Sequence, residues 1–201
     1  MDDFTSIEQA LTAIHQVVDT IGDNDLHRAT PCPEFDIATL ADHLVDTIAR
    51  LGAAADIPVT LRDDDSIDGR IETATHQVLD GWRRRGLSEP VAFSGRRLSG
   101  ELALGIVSLE LVVHGWDFAV ALGERLQVSD THATHVLSRA LQTLTEQSRA
   151  VAGFGPPVPV GDDAGPLDLL VAFTGRDPRC LGAHLHAGMT GPVTRAPCRS
   201  N

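Results

Sequence analysis

The sequence predicts an all-α protein built as one helical bundle, and three observations carry that reading. Apolar residues recur every three or four positions through most of the chain, which is the period of a buried helix face. Strand-like alternation is scarce. The run from Leu102 to Leu122 is apolar at nearly every position except Ser108, Glu110, His114 and Asp117, so it must be surrounded by protein on most sides. A length of 201 residues with 42% hydrophobic content supports one domain with a substantial core and no second full domain.

Taken in order, Ile7, Leu11, Ile14, Val18 and Ile21 mark a first helix, with Thr5 and Glu8 as its capping box. TPCPEF at 30–35 cannot be helical through its prolines. Asp36 then caps a second helix carrying Leu40, Leu44, Thr47, Ile48 and Leu51 to about Ala55. After the IPVTLRDDD connection, Ile67, Ile71, Ala74, Val78 and Trp82 define a third helix, closed by Arg83, Arg84, Arg85 and Gly86. VAFSGRRLSG alternates around Ser94 and Gly95, as an extended loop or small hairpin does.

The apolar run forms the central fourth helix. A fifth helix is expected from near Ser129 to around Gly153, burying Ala133, Val136, Leu137, Ala140, Leu141 and Leu144, before FGPPVPVG breaks it. A short final helix runs from Pro166 through Phe173. The expected organisation is a bundle domain over 1–178, its core drawn from helices one to four, and an irregular tail over 179–201.

Charge narrows the function. A net charge of -12 and a pI near 5.0 argue against nucleic acid, whose binding needs cations to replace counterions, and against acidic membranes. All 16 basic residues are Arg, which removes Schiff-base chemistry and fits a GC-rich bacterial genome. Cys32, Cys180 and Cys198 form no CxxC pair and fit a reducing cytoplasm. The acidic MDDFTSIEQA start lacks the features of a signal peptide, and no uncharged run is long enough for a membrane span. The expectation is a soluble cytoplasmic protein whose partner is a small-molecule substrate or thiol; a homodimer is compatible with the bundle, although no distinctive seam specifies one.

The chemistry converges on the central helix. Glu110 and His114, four residues apart, share one face, and Asp117 continues it. An ionised Glu among Leu109, Leu111, Val112 and Val113 carries a large desolvation penalty that a cation would relieve. His43 falls in the apolar stripe of the second helix between Leu40 and Thr47 and so points inward.

Two His and one Glu are the ligand number of an open zinc centre, with a fourth position for water, substrate or thiolate. The same spacing suits hydrogen-bonded core histidines with Glu110 paired to an Arg. Asp46 and Asp117 read as partners orienting the imidazoles, and Cys32 as a packed turn residue in preference to a ligand or reactive thiol. His15, His76, His132 and His135 read as surface or boundary residues, and His184 with His186 as an unorganised tail pair. HExxH, Walker, dinucleotide and G-x-S-x-G motifs are absent.

TPCPEFDIATLADHLV, SLELVVHGWDFAVALG and FGPPVPVGDDAGPLDLLVAFTGRDP together resemble an actinobacterial metal-binding family of the DinB-like superfamily over roughly residues 5–178. The chain is similar to the N-terminal domain of mycothiol-dependent maleylpyruvate isomerase, where a His on helix two and a later E-x-x-x-H bind zinc; His43, Glu110 and His114 match those positions. The resemblance implies a DinB-like four-helix bundle with additional C-terminal helices and a low-molecular-weight thiol, such as mycothiol, held as thiolate at the metal. Phe35 stands where many relatives carry Trp, and residues 154–201 are too short for the isomerase's separate C-terminal domain.

The resulting expectation is a divalent-metal protein acting as a thiol-dependent transferase or isomerase on small electrophiles. The alternative is a non-catalytic metal-binding or metal-sensing module with a protein partner. Catalysis requires an exchangeable position beside a cavity, whereas a structural site is closed and dry.

Overall fold

Helix starts are set by short oxygen-bearing side chains that accept the first free backbone N–H groups. In the computed structural model, which describes residues 1–62 and 65–180, Asp2 caps α1 (Asp3–Val18), Asp36 caps α2 (Ile37–Ala53) and Ser66 caps α3 (Ile67–Arg85). Ser99 caps α4 (Gly100–Leu122), Ser129 caps α5 (Asp130–Thr143) and Thr145 caps α6 (Glu146–Ala152). The last helix, α7 (Pro166–Phe173), has Pro at its first position, where no N–H is needed. Between α3 and α4 lies a hairpin of β1 (Val91–Phe93) and β2 (Arg96–Leu98), paired antiparallel with Phe93 opposite Arg96.

The all-α class and the order of elements agree with the sequence reading. Helix α4 is the axis, with α1, α2, α5 and α7 packed on it, while α3 lies against α1 and α2. The backbones of α1 and α4 come close at Gly115, where a Cβ would sit 3.3 Å from the Ile14 side chain. By length and composition α4 could cross a membrane, but 94% of its most apolar window is buried inside the protein, as in a core helix.

Four expectations need correction. Helix α1 is capped by Asp2, whose carboxylate accepts from Thr5 N at 2.9 Å, and not by a Thr5–Glu8 box. The expected fifth helix is two: Leu144 leaves the helical region at φ -90 and ψ 89, and Thr145 with Ser148 caps a new start. Leu141 is 61% exposed, and His132 is buried; Leu141 lies on the outer face of α5, while His132 faces α1. The core is not confined to the first four helices, because Val136, Ala140, Leu170 and Val171 are buried in it too. His184, His186, Cys198 and most of the expected tail lie outside the described residues.

Candidate metal centre

Helix α4 delivers Glu110 and His114 from consecutive turns into the protein interior, each almost completely buried. Helix α2 supplies His43 opposite them, its ring edge-on to His114 at 5.3 Å between centroids. The donor atoms of His43, Glu110 and His114 all lie within 4.8 Å of one another, so the three residues singled out from spacing are brought together.

Two of those atoms are orphans. Glu110 Oε2 and His114 Nε2 approach to 3.1 Å, yet both are buried without a hydrogen-bond partner. Unpaired buried polar atoms are costly and uncommon. Among the described residues no Arg forms an ion pair with Glu110, and its Oε2 has no hydrogen-bond partner, so the core-histidine alternative, which needed an Arg, lacks its main support. Two imidazole nitrogens and a carboxylate oxygen fit a divalent ion of zinc type.

The surrounding shell fixes the donors. His114 Nδ1 lies 3.0 Å from the Asp117 carboxylate, the contact that turns Nε2 toward Glu110 and His43. Asp117 is held in turn by Arg176, whose Nε and Nη2 donate to its two oxygens at 3.3 and 2.9 Å. Phe35 stacks on His43 at 4.9 Å, and Phe154 lies parallel to His114 at 6.3 Å and beneath the Arg176 guanidinium at 5.1 Å.

Electrostatics follow from this packing. Burial pulls His114 below its ordinary 6.5, but the Asp117 and Glu110 carboxylates outweigh it and hold the imidazole above that value. Burial would raise Asp117, and the Arg176 charge prevails and keeps it low and ionised. His43 is lowered, by burial first and by neighbouring His114 second, so it presents a neutral lone pair at neutral pH.

Asp117 therefore has the orienting role expected of it. Asp46 does not: its carboxylate is 66% exposed and 3.9 Å from Arg50, because its side chain leaves α2 toward water. Cys32 is buried, and burial pushes its thiol up to about 11, leaving it protonated at neutral pH as a packed turn residue. His15 and His135 pair with Asp68 and Asp3, while His132 Nε2 lies 3.1 Å from Ser6 Oγ in the core.

Sequence reasoning missed Arg176 and Phe154. Both sit in breaker-rich segments whose side chains carry no periodic signal; FTGRDP held an isolated Arg and nothing to say which acid it meets. The tie is backbone-deep: Gly175 has φ +91, and a Cβ there would lie 2.6 Å from Gly155 Cα, so only glycine allows the two segments to cross and Arg176 to enter the core.

On its open side the cluster meets a cavity of about 460 Å³. His43 and Glu110 line it, together with Thr47, Arg50, Phe93 and Arg96 among others. Fold and site together define a helical bundle with a preorganised His–Glu–His donor set beside a small-molecule-sized cavity. The chain is similar to two uncharacterised proteins of Mycobacterium tuberculosis, Rv0738 and MT0763, from strains ATCC 25618 / H37Rv and CDC 1551 / Oshkosh. Each is 25% identical over 189 residues, which span 89% of this chain and 100% of the relative. No protein-family model matches the chain, and no solved structure matches it.

Proposed function

We propose that this protein is a divalent-metal enzyme of the DinB-like, mycothiol-dependent maleylpyruvate isomerase-like kind, using zinc and a small thiol such as mycothiol to transfer to or isomerise small electrophiles in the cytoplasm. The observation that supports it most is the pair of orphaned donor atoms, Glu110 Oε2 and His114 Nε2, completed by His43 at the edge of a cavity. A divalent ion held by these three side chains supplies Lewis acidity and lowers the pKa of a coordinated thiol or water.

The chain's own residues do the rest. Asp117 fixes the tautomer and direction of His114, and Arg176 keeps Asp117 ionised while it does so. His43 brings a donor without a proton to lose. Phe93, Leu98, Ile106 and Leu109 give the cavity apolar walls that limit water around a reactive sulfur. A closed, dry centre would suit a purely structural ion; a cavity in contact with two of the three donors favours an exchangeable position.

The test is metal content and thiol affinity. Wild-type protein dialysed against zinc is expected to hold one ion per chain, and the Glu110→Ala, His114→Ala double variant none, at matched circular dichroism. Unchanged metal in that variant sinks the assignment. Zinc-loaded protein should then bind small bacterial thiols below millimolar concentration and support thiol-dependent turnover of electrophiles; no thiol affinity there points instead to a non-catalytic metal module.

A further inference from the structure

The cavity has a charge pattern unlike the rest of the molecule. The protein carries 28 acidic residues against 16 basic ones, yet among the described residues lining the cavity Glu110 is the only carboxylate, and Arg50 and Arg96 both line it. Among the described residues neither guanidinium has a carboxylate closer than 3.9 Å. Arg96 Nη1 donates to the Thr143 carbonyl at 2.7 Å, which anchors the side chain against the end of α5 and leaves its other N–H groups for a ligand; among the described residues no carboxylate pairs with it. Arg50 has only Asp46, at 3.9 Å with both side chains largely exposed, a contact of little energetic weight. Its guanidinium lies over the Phe93 ring at 5.7 Å.

The geometry also sets a length. His43, Thr47 and Arg50 follow one another along the cavity-facing side of α2, and seven residues of helix correspond to roughly 10 Å. Along α4, Ile106 lies one turn before Glu110 on the same wall. The donor cluster therefore occupies one end and a guanidinium lies about two turns away, with Phe93, Leu98, Ile106 and Leu109 among the side chains completing the walls.

We infer that the cavity takes an amphipathic organic acid, its carboxylate held by Arg50 and Arg96 and its apolar body directed toward His43 and Glu110. A guanidinium matches a carboxylate with two parallel charge-assisted hydrogen bonds, and the apolar walls favour a hydrocarbon segment. A neutral analogue forfeits the ionic contribution, worth on the order of tenfold or more in affinity. This names the substrate class of the site proposed above and rests on that reading for its chemistry, whereas anion binding needs only the metal-free chain.

The experiment separates the two. Metal-free full-length protein is titrated calorimetrically with heptanoate, heptanesulfonate and heptanamide, so that no probe can coordinate an ion. Both anions are expected to bind about tenfold or more tighter than the amide. Arg50→Gln with Arg96→Gln should bring them to the level of the amide, and Arg96→Lys should keep most of the preference. If loss of the Thr143 contact prevents the double variant from folding, Arg50→Gln and Arg96→Lys, compared at matched circular dichroism, carry the test, with Arg50→Gln expected to weaken both anions and leave the amide unchanged. Equal affinity for acid and amide, or anion affinity unchanged by loss of the arginines, overturns the inference. A chain that binds no zinc yet separates acid from amide refutes the metal reading and keeps this one; a chain that binds zinc without that separation does the reverse.

Discussion

At the scale of single residues, His114 determines how the centre responds to pH. Burial pulls its imidazole down, but Asp117 and Glu110 outweigh it and hold it above 6.5, so at slightly acid pH an incoming ion competes with a proton there. His43, lowered by burial and by His114, has none to release near neutrality. Zinc binding at pH 6.5 is thus expected to release protons from His114, the release falling toward none as pH rises through its raised value, and affinity should climb over the same range before levelling. Calorimetry in buffers of different ionisation enthalpy reads this directly, and the His114→Ala variant should lose it. The sign for folding is opposite: the His114 contribution to metal-free stability is fully present below 6.5 and is lost as pH rises through its folded value. The three candidate ligands were legible because helical spacing alone aligns Glu110 with His114, and a stripe containing Leu40 and Thr47 cannot leave His43 outside. Asp46 was misjudged because a residue at the edge of that stripe can turn either way, and no pattern along one helix says which.

At the scale of elements, the joint between α7 and α4 is a buried ion pair. Arg176 and Asp117 are each nearly inaccessible to water and 59 residues apart. Removing one partner strands the other charge, which costs about 3–5 kcal/mol, whereas removing both costs much less. Arg176→Met is expected to lower urea-unfolding stability by that amount, and Arg176→Met combined with Asp117→Asn to recover more than half of it. Equal stability of single and double variants would show that the pair is uncoupled. This joint was unreadable in advance because long-range pairing leaves no local trace. The break between α5 and α6 was different: the Thr145–Ser148 cap was present in TEQS and was overridden by the apolar periodicity running through it, which Leu141 continued on an exposed face.

At the scale of the molecule, the core forms without help from the donor set. Ile7, Leu40, Leu44, Ile48, Leu104 and Phe118 are completely buried around α4, and the helix caps are satisfied by the chain's own side chains. Chelation is therefore expected to leave helical circular dichroism intact at 25 °C. An ion at one hundred times its Kd contributes about 2.7 kcal/mol, so its removal should lower Tm by roughly 5–11 °C for a chain of this size. Collapse of helicity on chelation would contradict this picture.

The Arg176–Asp117 pair has one more consequence, for the order in which the protein is made. Domains emerge from the ribosome from the N-terminus onward, so His43, Glu110, His114 and Asp117 are all synthesised before the cation that balances Asp117. Until residue 176 is available the chain lacks the guanidinium that offsets the burial of Asp117, and among the described residues only His114 faces that carboxylate. Maturation of the centre is thereby tied to synthesis of the segment that carries Arg176.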